Sequence, residues 1–397
     1  MFGINIKNMS KGTIVYIGAF EFPDKNPATH RVVSNAKAIR SLGYETVFVG
    51  INKTIAAEYI QENHFGFCVY SQKYPSNVLA WFKYITAFKL YINIIKKQEN
   101  VKAVICYNSP SISISLLRKW GRRQKVKIIA DCTEWYELEK GEKGIKRYIK
   151  KLDIYNRMFL VHPKLDGVIV ISSYLESFYN KKGTRTIKVP PLTDSDDDKW
   201  KKNDINVSNK KNIIYVGAPF SLDTMRQKDR LDYLIDALLI YERQYEFVFH
   251  IVGSTREDFL TYYPNFTEKL LGKEEFIKFY GKLSHREAIN KLKKCDYSIF
   301  VRDNTLTNKA GFPTKFVEAI TCGLPVLSNR NSNIEDFLKE GENGFFINND
   351  SIEELIKSLE KPLSISQREL LSMKTQTYNS KLFDFRNYIN HFKEILE

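Results

Sequence analysis

The segment NIIYVGAPF, residues 212–220, is a run of apolar and β-branched residues that ends at a glycine and leads toward a helix. A very similar segment, TIVYIGAF, occupies residues 13–20. Short apolar runs of this kind are typical of buried strands, and a glycine directly after such a strand is typical of a Rossmann-like start. The repeat therefore predicts two α/β domains of the same class, one in each half of the chain.

Strand and helix patterns alternate after each of these two segments. In the first half we predict helices at 31–42 and 79–97, and strands at 45–50, 103–108, 126–131 and 166–172. In the second half we predict helices at 229–243 and 284–294, and strands at 247–253, 276–281 and 297–301. Continuous apolar strands separated by helices indicate parallel sheets that helices cover on both faces.

The stretch 189–212 is polar and charged and shows almost no periodicity, which predicts a connection between the two domains. We expect an N-terminal domain at 1–190, a linker at 191–210 and a C-terminal domain at 211–375. The remaining residues, 376–397, are expected to form a helix that returns to the first domain. A chain of 397 residues agrees with two domains, because single cores rarely exceed about 250–300 residues.

The composition excludes several classes of protein. With 43% hydrophobic and 27% charged residues the chain is not intrinsically disordered, and no apolar run approaches the roughly 18 residues that span a bilayer. The first residues lack the apolar segment and cleavage site of a signal peptide, so we expect a cytoplasmic protein. The five cysteines are dispersed and lack zinc-type spacing, so we expect reduced thiols and no metal site.

The chain carries an excess of positive charge. Its 61 Lys and Arg residues outnumber 46 Asp and Glu residues, which gives a net charge of +15 and predicts an anionic partner. Basic segments at 118–127 and 140–151 lie in the first half and suit contact with an anionic lipid surface, whereas the apolar spacing within 79–98 favours a helix packed in the core. No nucleic-acid-binding motif accompanies the charge, so nucleic acid is not the expected partner.

Several motifs occur together in a recognisable order. The second half contains, in sequence, YVGAPF, KDRLDYLIDAL, HIVGS, FYGKLSHREAINKLKKCDYSI, GFPTKFVEAITCGLPV and ENGFFI, and GVIVISSYL and VPPLTD precede them. This order and spacing resembles the family 4 retaining glycosyltransferases. The resemblance implies the GT-B fold, with two Rossmann-like domains whose parallel sheets face each other across an interdomain cleft. It also implies transfer of a sugar from a nucleoside diphosphate donor to a glycan or lipid-linked acceptor, with bacterial surface polysaccharide assembly as the setting.

The donor side is expected in the second half. Glu318 lies near the start of a helix, where backbone amides bind phosphate and a carboxylate can accept hydrogen bonds from the two ribose hydroxyls. The resemblance assigns this ribose contact to Glu318; the alternative is a solvated surface glutamate. Glycines at strand ends allow a ligand to approach the backbone closely. The predicted donor-binding residues are Gly217, Gly253, Ser254, Leu283, Gly311, Phe312, Pro313, Thr314 and Glu318.

A cationic pair is expected to hold the diphosphate. Arg226 and Lys228 are placed like the family's pair of cations, and Arg230 is the next candidate. Charge-assisted contacts there would stabilise the leaving diphosphate as its bond to the sugar breaks, so neither a metal nor another cofactor is expected. A solvated basic loop is the alternative interpretation.

The acceptor side is expected in the first half. Asp131 and Glu134 follow a buried strand at a position where the family often carries a histidine, and either carboxylate could orient the acceptor or take its proton. A loop-capping Asp with a surface Glu is the alternative. Gly18, His30 and Arg31 are also expected on this side, whereas His162 is expected to be structural.

The resemblance breaks at one position. The family pattern usually has two glutamates separated by seven residues, and the first of them is replaced by Ala310. Either the chain is an inactive relative, or backbone amides around Gly311 and Phe312 contact the sugar instead, which is the reading we favour. Two other functions remain open: a GT-B sugar nucleotide epimerase, and a non-catalytic partner of an active enzyme.

Overall fold

The computed structural model describes residues 10–23, 27–86, 88–135, 144–201, 210–242 and 246–397. They form two compact units: residues up to Thr193 together with Phe385–Glu397 form the first, and Asp194–Asp384 forms the second. The chain therefore re-enters the first unit at residue 385. Residues 202–209 of the predicted linker and residues 140–143 of the second basic segment lie outside the described ranges.

The first unit contains an eight-stranded sheet with the order β3-β4-β2-β1-β5-β6-β7-β8. Its strands are β1 (Gly12–Gly18), β2 (Tyr44–Asn52), β3 (Tyr59–His64), β4 (Phe67–Lys73), β5 (Val101–Tyr107), β6 (Lys127–Cys132), β7 (Gly167–Val170) and β8 (Thr186–Lys188). All neighbours are parallel except β3 and β4, which form an edge hairpin that we did not predict. Both residues of its two-residue turn, Phe65 and Gly66, have positive φ. Asn or Asp usually precedes the glycine of such a turn, so a Phe at this position does not indicate a hairpin.

Helices cover both faces of this sheet, as predicted. They are α1 (Pro27–Ser41), α2 (Val78–Ile85), α3 (Phe88–Ile95), α4 (Ser111–Gln124), α5 (Gly144–Tyr155), which continues into a π-helical segment at Asn156–Val161, and α6 (Ser173–Asn180). The predicted single helix at 79–97 is wrong: α2 and α3 are separate, because the N–H of Phe88 donates to the carbonyl of Thr86 at 2.7 Å rather than to the preceding turn.

The core of the first unit lies on both sides of β1. Tyr16 packs on the side that also holds Phe392 of the last helix, whereas Val15 and Ile17 pack on the side that holds Leu117 of α4. Successive side chains of a strand point to opposite faces, so one fully buried strand serves both layers.

The second unit contains a six-stranded parallel sheet with the order β13-β12-β9-β14-β15-β16 and a small hairpin, β10–β11. The strands are β9 (Lys211–Val216), β10 (Phe220–Ser221), β11 (Arg226–Gln227), β12 (Phe247–Val252), β13 (Ile277–Phe279), β14 (Tyr297–Phe300), β15 (Val326–Ser328) and β16 (Gly344–Phe346). The helices are α7 (Leu231–Tyr241), α8 (Arg256–Tyr262), α9 (His285–Leu292), α10 (Leu306–Ala310), α11 (Thr314–Thr321), α12 (Ile352–Ser364) and α13 (Gln367–Ser380), and α14 (Ile389–Leu396) follows in the first unit.

The strand order reverses beside the first strand of each unit, between β1 and β5 and between β9 and β14. Open α/β sheets bind ligands at such a reversal, outside the carboxyl ends of the strands. The predicted class, α/β with two Rossmann-like parallel sheets, is confirmed. Within the described ranges, no helix combines the length and the apolar character that crossing a membrane requires.

Candidate functional site

A buried cluster of one acid and two cations lies in the second unit, where the sheet order reverses. Asp229 precedes α7, Arg302 follows β14, and Lys315 is the second residue of α11. The Nζ of Lys315 lies 2.5 Å from Oδ2 of Asp229, and the Nε of Arg302 lies 2.7 Å from Oδ1. Tyr215 of β9 donates its hydroxyl to the same carboxylate at 2.6 Å. Three cluster members thus come from segments that surround the ends of β9 and β14.

This cluster carries one positive charge in excess, because two buried cations share a single buried carboxylate. Burial lowers the pKa of Lys315 to about 8; Asp229 raises that pKa, and Arg302 lowers it further. Burial alone would raise the pKa of Asp229, but Lys315 and Arg302 outweigh burial and hold it below the ordinary value. An excess positive charge in a poorly solvated place favours an anionic ligand.

Close packing within the protein itself requires glycine at positions 217 and 253, the two predicted to approach a ligand. Gly217 ends β9 with a φ of +143°, and a Cβ atom there would lie 2.8 Å from the Nζ of Lys315. Gly253 follows β12 with a φ of +108°, and its Cβ would lie 2.2 Å from the carbonyl oxygen of Gly217. Glycine is therefore needed for the strand ends and the ammonium group to pack. Ser254 is buried next to them, and its hydroxyl donates to the carbonyl of Thr255.

The first turn of α11 lies directly beside the cluster. Pro313 occupies the N-cap position and offers no side-chain acceptor, and Thr314 at the first helical position is exposed. Amides of a first helical turn lack intrahelical acceptors and attract anions. The side chain of Phe312 is buried against Phe316, Phe337 and Phe383, so it cannot face a ligand.

The short connection before Phe312 is also fixed. The carbonyl of Gly311 accepts a hydrogen bond from Ser332 at 2.5 Å. Ala310 ends α10 and is completely buried, so a glutamate at this position would place a carboxylate in the core. The structure thus gives Ala310 a packing role, and Ala310→Glu is expected to destabilise the fold.

Glu318 lies one turn into α11 and is partly buried, with 24% of its side chain exposed. Its Oε1 lies 3.3 Å from the Nε2 of His285, the first residue of α9. The ring of Trp200 packs edge-on against the same histidine, at 6.4 Å between centroids. Glu318 is therefore neither a solvated surface residue nor a core residue. His285 was not predicted as a site residue. Leu283, which was predicted, is half-buried two residues before it.

The predicted cationic residues occupy three different environments. Arg226 lies exposed on the β10–β11 hairpin. Lys228 is exposed and directly precedes Asp229 in the chain, and its charge contributes to the lowered pKa of Lys315. Arg230 is paired with Asp232 at 2.8 Å and with a second carboxylate at 3.4 Å, and it stacks on a tyrosine ring. The buried cations are thus residues that the sequence analysis did not single out.

A second buried cluster lies in the first unit. The side chain of Asp131, in β6, is completely buried, and Arg31 of α1 approaches it with Nε at 3.0 Å and a terminal nitrogen at 2.7 Å. The other terminal nitrogen of Arg31 donates to the carbonyls of Val189 and Pro190. Tyr16 donates its hydroxyl to Asp131 as well. This placement differs from the expectation that Arg31 and Asp131 face the acceptor, because both side chains are already paired and buried.

The other predicted residues of the first unit are distributed differently. Glu134 is exposed and His30 is partly exposed, so their side chains are accessible. Gly18 ends β1, where a Cβ atom would lie 2.2 Å from the carbonyl oxygen of Tyr107. His162 is buried, its Nδ1 lies 2.8 Å from the hydroxyl of Tyr179, and burial lowers its pKa to about 3. The structural role predicted for His162 is confirmed.

All five cysteines are free thiols. Within the part of the chain that the structure describes, no three His, Cys, Asp or Glu side chains are grouped as a metal site would require.

Residues 196–379 match the family model of the group 1 glycosyl transferases. No curated protein matches the chain. Among solved structures, sucrose-phosphate synthase from Thermosynechococcus elongatus is 15% identical with a TM-score of 0.69, and the match covers 97% of this chain and 98% of that one. A glycosyltransferase from Rickettsia africae is 18% identical with a TM-score of 0.65, over 98% and 99% of the two chains. Anabaena HepE in complex with UDP is 14% identical with a TM-score of 0.63, over 97% and 99%.

These similarities extend over nearly the whole chain, so they concern both units. The family match covers the segment that contains Asp229, Arg302, Lys315 and Glu318. The chain therefore has the GT-B glycosyltransferase fold, and its second unit matches the group 1 glycosyl transferases.

Proposed function

We propose that the chain is a retaining glycosyltransferase of the family 4 type. It would move a sugar from a nucleoside diphosphate donor to a hydroxyl group of a glycan or lipid-linked acceptor. The observation that carries this proposal is the excess positive charge of the Asp229–Arg302–Lys315 cluster. It lies beside the first turn of α11, in the segment that matches the group 1 glycosyl transferases.

The donor would bind along α11. Its diphosphate would face Lys315, Arg302 and the first-turn amides, where charge-assisted hydrogen bonds are strongest. Glu318, one turn further on, would accept hydrogen bonds from the ribose hydroxyls and give up its contact with His285. UDP is the first nucleotide to test, because HepE, a structural neighbour, was solved with UDP.

In the reaction, the bond between the anomeric carbon and the diphosphate oxygen breaks, and its electron pair stays on the diphosphate. The acceptor oxygen forms a new bond to the same carbon and loses its proton. Negative charge on the diphosphate therefore grows toward the transition state, where Lys315 and the exposed Lys228 stabilise it more than in the ground state. Cations of the chain supply this stabilisation, so transfer without a metal ion is part of the proposal.

Glu134 is the better candidate for the acceptor side. Its side chain is exposed, whereas Asp131 is buried and paired with Arg31. A general base must reach the proton that it removes. We therefore assign proton removal or orientation of the acceptor hydroxyl to Glu134 and a structural role to Asp131. We place this reaction in bacterial surface polysaccharide assembly at the cytoplasmic face of the membrane. The family resemblance and the basic first half of the chain support this setting.

The test is a panel of labelled sugar nucleotides incubated with the protein, with and without added acceptors. A transferase hydrolyses its donor slowly or transfers the sugar, and Glu318→Gln reduces that activity. Isomerisation of the sugar nucleotide would identify an epimerase instead. A folded protein that binds a sugar nucleotide but turns none over would indicate a non-catalytic partner, which the replacement of the family's first glutamate by Ala310 would then explain.

A further inference from the structure

Helix α5 exposes three large apolar side chains on its solvent side. Tyr148 is 73% exposed, Leu152 is 61% exposed and Tyr155 is 53% exposed. Their spacing of four and three residues places them on one face of the helix. We call these three residues the α5 stripe. Apolar residues exposed singly are ordinary, but a contiguous row of large ones marks a surface that binds something.

The contact that anchors α5 to α4 is made by a different face of the helix from the stripe. Asp153 accepts a hydrogen bond from the backbone N–H of Ser111 in α4 at 2.7 Å. After the helix, Arg157 and Met158 are buried. The helix is therefore anchored through one face and presents the stripe on the other.

Aromatic rings extend this surface beyond the helix. Phe159 stacks on Tyr155 with 5.1 Å between centroids. Trp135 packs edge-on against Phe159, Phe178 and Tyr174, at 5.2 to 6.0 Å. Tyr174 is itself 37% exposed. Tyrosine and tryptophan are enriched where a protein meets the interface of a bilayer, because their rings are apolar and their tips are polar.

Basic side chains border the apolar surface. Arg147 and Lys151 are exposed and lie on the side of α5 next to the stripe. Lys182 is exposed, and its Nζ lies 5.2 Å from the ring centre of Phe159 and 5.0 Å from that of Phe178. The only acidic residue of α5, Asp153, is the one bonded to Ser111. The surface thus combines apolar rings with positive charge.

We propose that the α5 stripe and the rings beside it insert into the headgroup region of an anionic lipid bilayer. The side chains of Arg147, Lys151 and Lys182 then contact the lipid phosphates. This deepens the membrane association suggested under the proposed function and rests on it, since an acceptor attached to a lipid has to be reached at the bilayer surface.

A lipid surface fits these features better than a protein partner does. An interfacial helix needs an apolar face, basic flanks and aromatic anchors, and it needs no complementary shape on the other side. All three features are present here, and the charge predicts binding to anionic lipids that weakens as salt is raised. A second copy of the chain would bring the same positive charges together.

The experiment is flotation of the full chain with vesicles of phosphatidylcholine, with and without 30% phosphatidylglycerol. Wild type is expected to float with the anionic vesicles and to be released by about 0.5 M salt, at which charges are screened within a few ångströms. Tyr148→Ser/Leu152→Ser/Tyr155→Ser and Arg147→Gln/Lys151→Gln should each weaken binding at least tenfold. Ile240→Ser/Leu271→Ser is the control, because it removes two apolar side chains of the second unit that are 52% and 66% exposed, and it should bind like wild type.

Equal binding of wild type and both α5 variants would overturn the proposal, as would equal binding to neutral and anionic vesicles. Self-association that the stripe variant abolishes, without any vesicle binding, would overturn it in favour of a dimer interface. Hydrolysis of a sugar nucleotide in solution is measured on the same variants. It should remain at the wild-type rate, so a failure of the membrane proposal is distinguishable from a failure of the proposed function.

Discussion

The two units each bury a carboxylate against a tyrosine from the first strand of their sheet, yet the two clusters differ in charge. In the first unit, Tyr16 and Arg31 meet Asp131, and the pair is neutral. In the second unit, Tyr215 meets Asp229, which faces two cations and leaves one positive charge uncompensated. The repeated strand therefore contributes its tyrosine to a neutral cluster in the first unit and to a positively charged cluster in the second.

The neutral cluster is architectural. Arg31 uses its remaining donors on the carbonyls of Val189 and Pro190, so it ties α1 to β6 and to the segment after β8. The charged cluster has a net charge of about +1 by comparison, and a bound anion would neutralise it. The first cluster is thus balanced by its own side chains, whereas the second has the unbalanced charge to which we propose that an anionic ligand binds.

The largest expected effect concerns stability. Asp131→Asn and Asp229→Asn each remove the only acid of a buried cluster, which costs about 3–5 kcal/mol of unfolding free energy when a buried partner is left unpaired. Saturating UDP should restore much of the stability of Asp229→Asn, because its diphosphate replaces the lost negative charge, but not that of Asp131→Asn. Denaturant titration with and without UDP measures both values. Equal rescue of both variants would remove the distinction between the clusters.

The next largest effect distinguishes the role proposed for Glu318, in donor binding, from that proposed for Glu134, on the acceptor side. Glu318→Gln should weaken UDP binding by about 1–3 kcal/mol, since an amide puts a donor where two ribose hydroxyls need an acceptor. Glu134→Gln should leave UDP affinity unchanged and slow transfer to the acceptor. Calorimetry with UDP and a transfer assay give the two readouts. Unchanged affinity in a folded Glu318→Gln protein would assign Glu318 to packing against His285.

A smaller effect follows from pH. The pKa of Lys315 is lowered to about 8, below the ordinary value of 10.5, so its charge is complete well below pH 8 and is lost as the pH rises through that value. In the proposed function the charged form of Lys315 binds the diphosphate, so UDP affinity should fall about tenfold between pH 7 and pH 9. Protonation of the buried Lys315 lowers the free energy of unfolding, because its pKa is lower in the folded than in the unfolded protein. The proton is lost as the pH rises, so the protein without UDP should become more stable between pH 7 and pH 9. Calorimetry across the range tests this, and the profile of Lys315→Met should be flat.

Much of the fold was predictable because apolar periodicity and the repeated strand ending in glycine are local signals. The β3–β4 hairpin was missed because Phe65 occupies a turn position where Asn or Asp usually signals the bend. The predicted helix at 79–97 proved to be two helices. They are interrupted where the N–H of Phe88 donates to the carbonyl of Thr86, and no helix-breaking residue type at this point predicts the interruption.

The candidate site was only partly predictable for a related reason. Glu318 stood out as an acid in an apolar helix, but Lys315 and Arg302 become important only where the ends of β9 and β14 meet α11. The pairing of Arg31 with Asp131, 100 residues apart, is equally invisible in the sequence. Local pattern thus predicted the elements, whereas the charge balance depends on contacts between distant segments.

UDP binding to Lys315→Met and Lys374→Met, measured by calorimetry at pH 7, tests most directly whether the charged cluster holds a nucleoside diphosphate. Lys374 is a matched control in the same unit, because it is similarly buried and its Nζ lies 3.0 Å from Asp296. Asp296 directly precedes β14, so this ion pair lies at the amino end of the strand, whereas Arg302 follows its carboxyl end. We expect Lys315→Met to lose at least tenfold in affinity for UDP, as the loss of a charge-assisted hydrogen bond of about 1.5–3 kcal/mol implies, and Lys374→Met to bind UDP like wild type. Equal affinities for wild type and Lys315→Met would contradict the claim that the second unit's excess charge holds a nucleoside diphosphate.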